Sequence, residues 1–454
     1  MNGGEKEVES LLKFNECIAI CNFDYLPEGL EAKYNRYKPD SKPHLIPREF
    51  LSGIFEQYQI PEPTRQWLVH GVEAIEKDAV LFHFTQFLVD DMCTLRNRCD
   101  ETHYTNMTPG CMEQYGELYS FLLLLACVVP SMNMLEARSV PKAYYEQIPQ
   151  QPLKLQLEKL VEHGDAKVHD FPWVMNFYTC SIFLLDRFYF IPYRFEDPFT
   201  MFRHVDTQEV IALRHAGEEF RSDGQRNGIN DVYDLQGNFT SEWHENAEFV
   251  IANRINPMGF VERETTPILK KEWEPALQKG DTLLALHIPS GPGYTPDRLK
   301  SSMEMAAAFY DQYFPELLIK GFWSSSWLYD TRLSLILDSE KSNIVLVQRQ
   351  FYNYPTMEGD GMLRFEAFGD WKADPVRNPG EYTTSLQKAA AAYMETGARF
   401  NTLSMIVLRE DIEKIGSRPY ITDADIEQFH KTVDSHLQRR EEDGEILARK
   451  LREV

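Results

Sequence analysis

The stretch that decides the fold spans residues 280–330 and reads GDTLLALHIPSGPGYTPDRLKSSMEMAAAFYDQYFPELLIKGFWSSSWLYD. An apolar run at residues 283–288 leads into a loop that contains prolines and glycines. Thr295 can then cap a helix, because Pro296 suits the first helical position and Asp297 lies in the positive first turn. A second apolar run follows at residues 319–328. We therefore predict a strand, a loop, a capped helix and a second strand.

The loop between the strand and the helix reads PSGPGY at residues 289–294. Such a loop can direct backbone N–H groups and the N-terminus of the following helix towards a phosphate group. Such a loop is more often a tight connection, because glycine adopts backbone angles that other residues avoid. Pro292 also removes one N–H donor from the loop. The loop pattern alone leaves the anion site and the simple connection open.

Composition limits the class of protein. The chain has 454 residues, of which 43% are hydrophobic, so it predicts two or three domains with ample material for a core. The formal net charge of −23 argues against nucleic acid and anionic membranes as partners, because both need basic patches. The seven cysteines form no CxxC pair, and the acidic N-terminal sequence has no hydrophobic signal core. We expect a cytoplasmic protein with no membrane partner.

The texture of the sequence predicts three regions. Residues 1–170 carry apolar stripes at helical spacing and form a helical N-terminal domain. Residues 171–410 contain strand patterns and tight turns and form a sheet domain, and residues 411–454 form a short helical tail. Within the sheet domain, runs at residues 343–351 and 363–368 predict two further strands. The predicted fold class is α+β.

A series of short motifs lies in order along the sheet domain. They are Pro257-x-Gly259, Glu272-Trp273, Gly280-Asp281, His287-Ile288-Pro289, Phe309, Phe314-Pro315, Ser326-Trp327-Leu328, Gln348-Arg349-x-Phe351 and Thr384-Ser385-Leu386-Gln387. This series resembles the bacterial acyltransferase-domain proteins that join a helical N-terminal domain to a GNAT-like C-terminal domain. The resemblance implies a mixed β-sheet flanked by helices, with acetyl-CoA or another acyl-CoA as cosubstrate.

The resemblance also implies where the cosubstrate binds. The strand at residues 283–288 would be the central one and would splay from the strand at residues 319–328. The pyrophosphate would bind the loop and the start of the helix, at Ile288, Ser290, Gly291, Gly293, Tyr294 and Thr295. The commoner GNAT loop has a basic residue and more glycines, whereas this loop has Ser290 and Pro292.

Acyl transfer needs a base, an oxyanion donor and a proton source for the departing thiolate. His287, at the end of the central strand, is the first candidate base because imidazole titrates near neutrality; it can equally be a strand-end histidine that holds the loop. Glu248 or Glu262 can act through water, or can be an exposed strand carboxylate. Ser326 and Tyr329 lie at the end of the next strand, where a hydroxyl can protonate the thiolate.

The leading functional prediction is acyl-CoA-dependent transfer to a small amine or hydroxyl acceptor, without a metal. The alternative is a non-catalytic ligand- or partner-binding protein that retains a GNAT-like fold. His204-x-Asp206 has the spacing of part of an iron triad, but one such pair is expected by chance and it adjoins a hairpin. The sequence contains no GxSxG nucleophile motif.

Overall fold

A computed structural model describes residues 12–38, 44–94, 103–378, 380 and 382–452, with side chains described as far as residue 438. The chain forms two compact units, and the division falls after Phe183. We expected the division near residue 170. The helix that follows that residue belongs to the first unit, because Phe171 and Tyr178 lie in its core and the ring of Tyr178 meets that of Phe121.

The first unit is built of helices. They are α1 (Phe14–Cys21), α2 (Leu30–Tyr34), α3 (Arg48–Gln57), α4 (Glu62–Lys77), α5 (Ala79–Cys93), α6 (Tyr119–Ala137), α7 (Gln150–His163) and α8 (Phe171–Tyr178). Every residue of α6 from Tyr119 to Val128 is buried, because this helix is apolar on nearly all sides. The helical N-terminal region is thus confirmed, with α6 at its centre.

One helical stretch of the first unit, Gly110–Ala137, is long and apolar enough to cross a membrane by length and composition. It consists of a 3-10 segment and α6. Of its most apolar window, 72% is buried inside the structure, as in a core helix.

The second unit contains the sheets. Its strands are β1 (Phe183–Leu185), β2 (Phe188–Arg194), β3 (Phe199–His204), β4 (Val210–Arg214), β5 (Glu219–Phe220), β6 (Phe239–Thr240), β7 (Trp243–Glu245), β8 (Phe249–Asn256), β9 (Phe260–Leu269), β10 (Trp273–Leu277), β11 (Thr282–His287), β12 (Gly321–Ser326), β13 (Tyr352–Pro355) and β14 (Leu403–Leu408). Its helices are α9 (Pro296–Tyr313), α10 (Asn343–Gln348), α11 (Gly361–Phe368), α12 (Ser385–Glu395) and α13 (Asp423–Arg452).

The first sheet is mixed, with the strand order β1-β2-β11-β12-β14-β13. β11 and β12 pair in parallel, and α9 makes the crossover between them. The pairs β2–β11, β12–β14 and β13–β14 are antiparallel. The predicted α+β fold, with a mixed GNAT-like sheet and β11 inside it, is confirmed.

The second sheet is antiparallel. Its order is β10-β3-β4-β8-β7, and β9 pairs with β8. One side of the first sheet packs on it, because Leu283 and Ile406 share a core with Met201 and Ala212 of the second sheet. We call this the sheet side.

The opposite side of the first sheet is the helix side. It carries the rings of Phe190 and Phe322, whose centroids are 5.8 Å apart. Helix α9 packs there, and the hydroxyl of Tyr310 donates to the carbonyl of Phe190 at 3.3 Å. The first sheet is therefore enclosed by the second sheet on one side and by a helix on the other.

The predictions of strands at residues 343–351 and 363–368 are wrong. The first run forms α10, in which Val345 and Gln348, three residues apart, are buried. The second lies in α11, in which Leu363 and Ala367, four residues apart, are buried. A short apolar run does not by itself distinguish a strand from a buried helical turn, and here the burial follows the helical period.

Candidate functional site

β11 and β12 pair over only part of their length. Their register ends at the pair formed by Ala285 and Trp323. Beyond this pair, β11 stays aligned with β2 as far as His287, and β12 stays aligned with β14 as far as Ser326. The two central strands therefore diverge while their outer neighbours continue to pair. We call the resulting gap the splay.

The strand pleat assigns residues at the splay to the two sides of the sheet. Trp323 is the register partner of Ala285, so both lie on one side, together with residues two positions further along each strand. His287 and Ser325 thus lie on the sheet side, with Leu283 and Ile406. Ser324 and Ser326 lie on the helix side. Two predicted catalytic residues, His287 and Ser326, are therefore on opposite sides of the sheet.

Hydroxyl groups gather at the splay on the helix side. Ser324 Oγ donates to the carbonyl of Leu286 at 2.8 Å, so this side chain bridges β12 and β11 directly after their last paired residues. Burial raises the pKa of Tyr329. Burial, and to a smaller extent the nearby Tyr329, raises the pKa of Tyr294 well above its ordinary value. Within the described residues neither tyrosine hydroxyl has a well-aligned hydrogen-bond partner, although they lie close enough to affect each other's pKa. Both tyrosines are therefore neutral at physiological pH, and their hydroxyl groups can donate hydrogen bonds.

The loop after β11 is held by an arginine that precedes β2. Arg187 Nε donates to the carbonyl of Pro292 at 2.7 Å, and its Nη2 donates to those of Pro289 and Gly291 at 2.7 and 2.9 Å. Gly291 and Gly293 have φ values of 109° and 97°, which only glycine adopts without strain. The guanidinium group therefore sets the direction of the loop carbonyls and places a positive charge against the loop.

The loop amides face a different environment from the loop carbonyls. Among the described residues, the amide nitrogens of Ser290, Gly291 and Gly293 have no hydrogen-bond acceptor. Both Ser290 and Gly291 are exposed. Buried or organised N–H groups are normally paired, so these exposed amides are available to water or to a ligand.

The start of α9 is fixed as the sequence predicts. Thr295 Oγ1 accepts from the amide of Arg298 at 3.4 Å, and Pro296 is the first helical residue. Asp186 accepts from Arg298 at 2.7 Å and from Ser302 at 3.2 Å, which joins the turn before β2 to the helix. The positive helix terminus therefore lies directly after the loop.

The predicted catalytic residues of the first sheet have different surroundings. His287 is partly buried at the last position of β11. Ser326 is buried, and its Oγ accepts from the amide of Leu328 at 3.2 Å, so the hydroxyl caps the next turn. Tyr329 is fully buried in that 3-10 turn, Trp327–Tyr329. The structure thus places Tyr329 beside Ser324 and Tyr294, the other hydroxyl-bearing residues at the splay.

The two predicted glutamates lie in the second sheet. Glu248 is exposed in the turn before β8, and its amide donates to Asn246 Oδ1 at 2.8 Å. The carboxylate of Glu262 accepts from Arg254 at 2.9 Å and from Asn256 at 3.0 Å. The structure does not group either carboxylate with the hydroxyls at the splay.

A cavity of about 300 Å³ lies on the sheet side of the splay. Its wall includes Trp323 and Ser325 of β12, together with charged residues at the end of β4 and in the loops beside β3, β4, β5 and β13. The rings of Tyr193 and Trp323 stack across β11 at 4.1 Å with an interplanar angle of 9°. The cavity therefore adjoins the point at which β11 and β12 separate.

Asp197 connects this cavity to the splay. Its Oδ2 accepts from the hydroxyl of Tyr354 at 2.7 Å, and that hydroxyl accepts from Trp323 Nε1 at 2.7 Å. Burial raises the pKa of Asp197, while the hydrogen bond from Tyr354 and the charge of Arg214 oppose the rise. A carboxyl group with a raised pKa in a cavity is a frequent feature of functional sites.

The sequence analysis did not single out Arg187 or Asp197. Each acts through residues more than a hundred positions away, Pro292 for Arg187 and Tyr354 for Asp197. Arg187 supplies the basic group that the loop itself lacks. The absence of a basic residue from the loop sequence was the one indication that such a group would come from elsewhere in the chain.

No group of three or more possible metal ligands occurs among the residues that the structure describes. His204 Nδ1 accepts from the amides of Asp206 and Thr207, both at 3.2 Å. The histidine of the His204-x-Asp206 pair thus serves the turn after β3.

Comparison with protein families defines the class. The family profile "N-acyltransferase N-terminal domain" matches residues 49–180, and the profile "GNAT-like C-terminal domain" matches residues 201–405. The chain belongs to the N-acyltransferase family that combines these two domains.

Solved structures show distant likeness. An acyltransferase in complex with decanoyl-CoA is 14% identical, with a TM-score of 0.49 over 87% of this chain and 99% of its own. A mutant acyltransferase with octanoyl-CoA is 15% identical, with the same TM-score and coverage. An acyltransferase with decanoyl-CoA and teicoplanin is 16% identical, with a TM-score of 0.44 over 84% of this chain and 94% of its own. No curated protein matches the chain.

Proposed function

We propose that this protein is an acyl-CoA-dependent acyltransferase that uses a small amine or hydroxyl compound as acceptor. The observation that carries the proposal is the splay beyond Ala285 and Trp323. A gap between two parallel strands leaves main-chain groups that an extended ligand can pair with, as an added strand does. Membership of the acyltransferase family supports the same class of reaction.

The loop beside the splay suits the pyrophosphate of CoA. The unpaired amides of Ser290, Gly291 and Gly293 and the start of α9 can donate to phosphate oxygens. Pro292 contributes no N–H, but the guanidinium of Arg187 adds a positive charge behind the loop. Ile288, Tyr294 and Thr295 flank these amides and belong to the same proposed binding site.

The chain offers groups for each step of acyl transfer. The acceptor nitrogen or oxygen loses a proton to a base and attacks the thioester carbonyl carbon, and the C–S bond then breaks. His287 is the candidate base on the sheet side. On the helix side Tyr329 is the candidate donor to the departing thiolate, with Ser326 as the second. Main-chain N–H groups at the splay can stabilise the oxyanion.

The role of His287 is tested by substitution. If His287 is the base, His287→Ala should lower turnover by about tenfold or more, while acyl-CoA binding is retained. Steady-state thiol release and calorimetric titration with acetyl-CoA measure the two quantities. Unchanged turnover would remove His287 from the mechanism, and equal loss of binding would assign it to holding the loop.

The reaction class is tested with acyl-CoA donors. Acetyl-CoA, octanoyl-CoA and decanoyl-CoA should each be compared for thermal stabilisation of the protein, and then for thiol release with amines and alcohols. Stabilisation together with acceptor-dependent thiol release is expected. Stabilisation without release by any acceptor fits the alternative, a non-catalytic binding protein. No stabilisation by any acyl-CoA at saturating concentration contradicts the proposal.

A further inference from the structure

The cavity on the sheet side of the splay has an unbalanced set of charges. Two arginines line it, and both contact the same carboxylate, that of Glu218. The guanidinium groups of Arg214 and Arg226 also lie over the ring of Phe220, at 5.7 and 5.2 Å from its centroid. The positive charges of both arginines therefore already interact with Glu218 and Phe220, within the protein.

The other carboxylates of the wall have no such partner. Within the described residues, neither Asp197 nor Glu358 forms an ion pair, and Asp197 accepts only the hydroxyl of Tyr354. Asp197 lies next to the splay through Tyr354 and Trp323, whereas Glu358 is exposed at the rim. A cationic group that entered the cavity would meet negative charge that Arg214 offsets only in part.

A buried arginine donor in the wall indicates that the ligand carries an oxygen that accepts a hydrogen bond. Arg214 is only 4% exposed, and its Nη1 has no hydrogen-bond partner among the described residues. A buried donor without a partner costs free energy, and in native proteins such donors are rare. A carbonyl oxygen bound beside Arg214 would remove that cost.

We infer that this cavity is the acceptor site, and that it takes a primary amine that carries a hydrogen-bond-accepting oxygen close to the amine. Asp197 binds the ammonium form, Arg214 binds the oxygen, and the stacked rings of Tyr193 and Trp323 form the wall towards the splay. This inference rests on the proposed acyl-CoA-dependent function and deepens it.

The reaction at this site transfers the acyl group from sulfur to nitrogen. The ammonium group loses one proton to a base, and the free amine forms a C–N bond to the thioester carbonyl carbon. The C–S bond breaks, CoA leaves as a thiolate, and a tyrosine hydroxyl on the opposite side supplies the proton that makes the thiol. The nitrogen loses its second proton to solvent, the tyrosinate regains a proton from solvent, and the base releases its proton to solvent. The products are a secondary amide, free CoA and one proton.

The chemical class is tested with three compounds that share one skeleton. L-phenylalaninamide has both groups, phenethylamine lacks the carbonyl, and 3-phenylpropanamide lacks the amine. With acetyl-CoA, we expect L-phenylalaninamide to be acylated with the highest kcat/KM, phenethylamine to react more slowly, and 3-phenylpropanamide not to react. Thiol release and mass spectrometry of the product measure the result.

The site is tested with Asp197→Asn. We expect this variant to raise KM for L-phenylalaninamide by about tenfold, because a charge-assisted contact becomes neutral, and to leave KM for acetyl-CoA unchanged. Glu196→Gln is the matched control, because Glu196 pairs with Arg194 and Lys279 and does not line the cavity. Ser325→Trp, which fills the cavity, should abolish acylation while stabilisation by acetyl-CoA remains.

Each outcome decides between the inference and its alternatives. An unchanged KM for L-phenylalaninamide in Asp197→Asn, or full activity in Ser325→Trp, overturns the acceptor site. Wild-type protein that binds acetyl-CoA but acylates neither amine overturns the chemical class. Wild-type protein that does not bind acetyl-CoA contradicts the proposed function itself, which is a distinct result.

Discussion

Asp197 is an ionisable residue in a partly buried position. Burial raises its pKa, and the hydrogen bond from Tyr354 opposes only part of the rise. Because the folded pKa lies above the unfolded value, folding favours the protonated carboxyl, and this contribution is lost as pH rises through the folded pKa. The charged form therefore reduces stability at neutral pH, so stability alone does not explain an aspartate here.

Asp197→Asn is expected to stabilise the fold at neutral pH, because asparagine carries no charge and can still accept from Tyr354. The difference in free energy of unfolding between the variant and the natural chain should shrink as pH falls below the ordinary range of an aspartic acid. Urea unfolding at both pH values measures it. A variant that is less stable than the natural chain at neutral pH would show that the carboxylate is structural.

Tyr329 provides a second test at the residue scale. Tyr329→Phe should lower kcat by about tenfold or more, since the thiolate loses its proton donor, without lowering thermal stability. Stability should hold because the buried hydroxyl has no well-aligned partner within the described residues. Tyr178→Phe is the matched control, because Tyr178 also has a buried hydroxyl without such a partner but lies in the helical unit. Equal activity in the two variants would exclude Tyr329 as the donor.

At the scale of the element, the loop after β11 depends on a residue outside it. Arg187 holds three loop carbonyls, so Arg187→Ala should release the loop and raise KM for acetyl-CoA by about tenfold. KM for acetyl-pantetheine, which lacks the pyrophosphate, should not change. The comparison of the two donors separates a defect in the loop from a general defect of the site.

Arg298→Ala is the control for this prediction. Arg298 pairs with Asp186 at the same corner of the unit but donates to no loop carbonyl. A rise in KM of equal size for both donors in Arg187→Ala, or the same rise in Arg298→Ala, would contradict a specific role for Arg187 in the loop.

Elements with local signals could be predicted from the sequence. The Thr295 cap and Pro296 fix the start of α9, and the Thr384 and Gln387 side chains form the capping box of α12. The strand at residues 403–408 also forms as its apolar run indicates. These features rest on neighbours in the chain, so the sequence contains the information that determines them.

The short elements α10 and α11 could not be predicted in the same way. In α10 the side chain of Gln348 donates to the carbonyls of Leu328 and Asp330 at 2.6 and 2.9 Å, which requires the helical turn but is not visible from the apolar run. Helix α11 ends at Gly369, whose φ of 85° is typical of a glycine after a helix, so the sequence does contain a signal for the end of this helix. The candidate site has the same limit, since Arg187 and Asp197 join it only through the sheet topology.

At the scale of the second unit, a buried ionic cluster joins distant segments. Arg332 contacts Asp223 at 3.0 Å and Asp330 at 3.4 Å, and Arg221 contacts Asp223 at 3.0 Å. His436 of α13 lies 3.8 Å from Asp223. The cluster thus connects the turn after β5, the segment after β12 and the C-terminal helix.

Asp223→Asn should destabilise the unit by about 3–5 kcal/mol, because it leaves buried arginines without full compensation. Burial acts to raise the pKa of Asp223, but Arg221, His436 and Arg332 outweigh it and lower the pKa overall. The stability from this group is therefore present above the ordinary aspartate pKa and is lost as pH falls towards the folded value. Urea unfolding measures both effects. Asp338→Asn, at an exposed pair with Lys341, is the control, and equal losses would contradict the prediction.

The splay has one consequence for the order of events in catalysis. Ser324 and the two tyrosine hydroxyls beside it are on the helix side of the sheet, and the cavity is on the other. Donor and acceptor would thus approach the splay from opposite sides of the sheet, and both could be bound before any product leaves. We therefore expect a ternary-complex mechanism. Double-reciprocal plots of initial rate should intersect and should not be the parallel lines of a ping-pong enzyme.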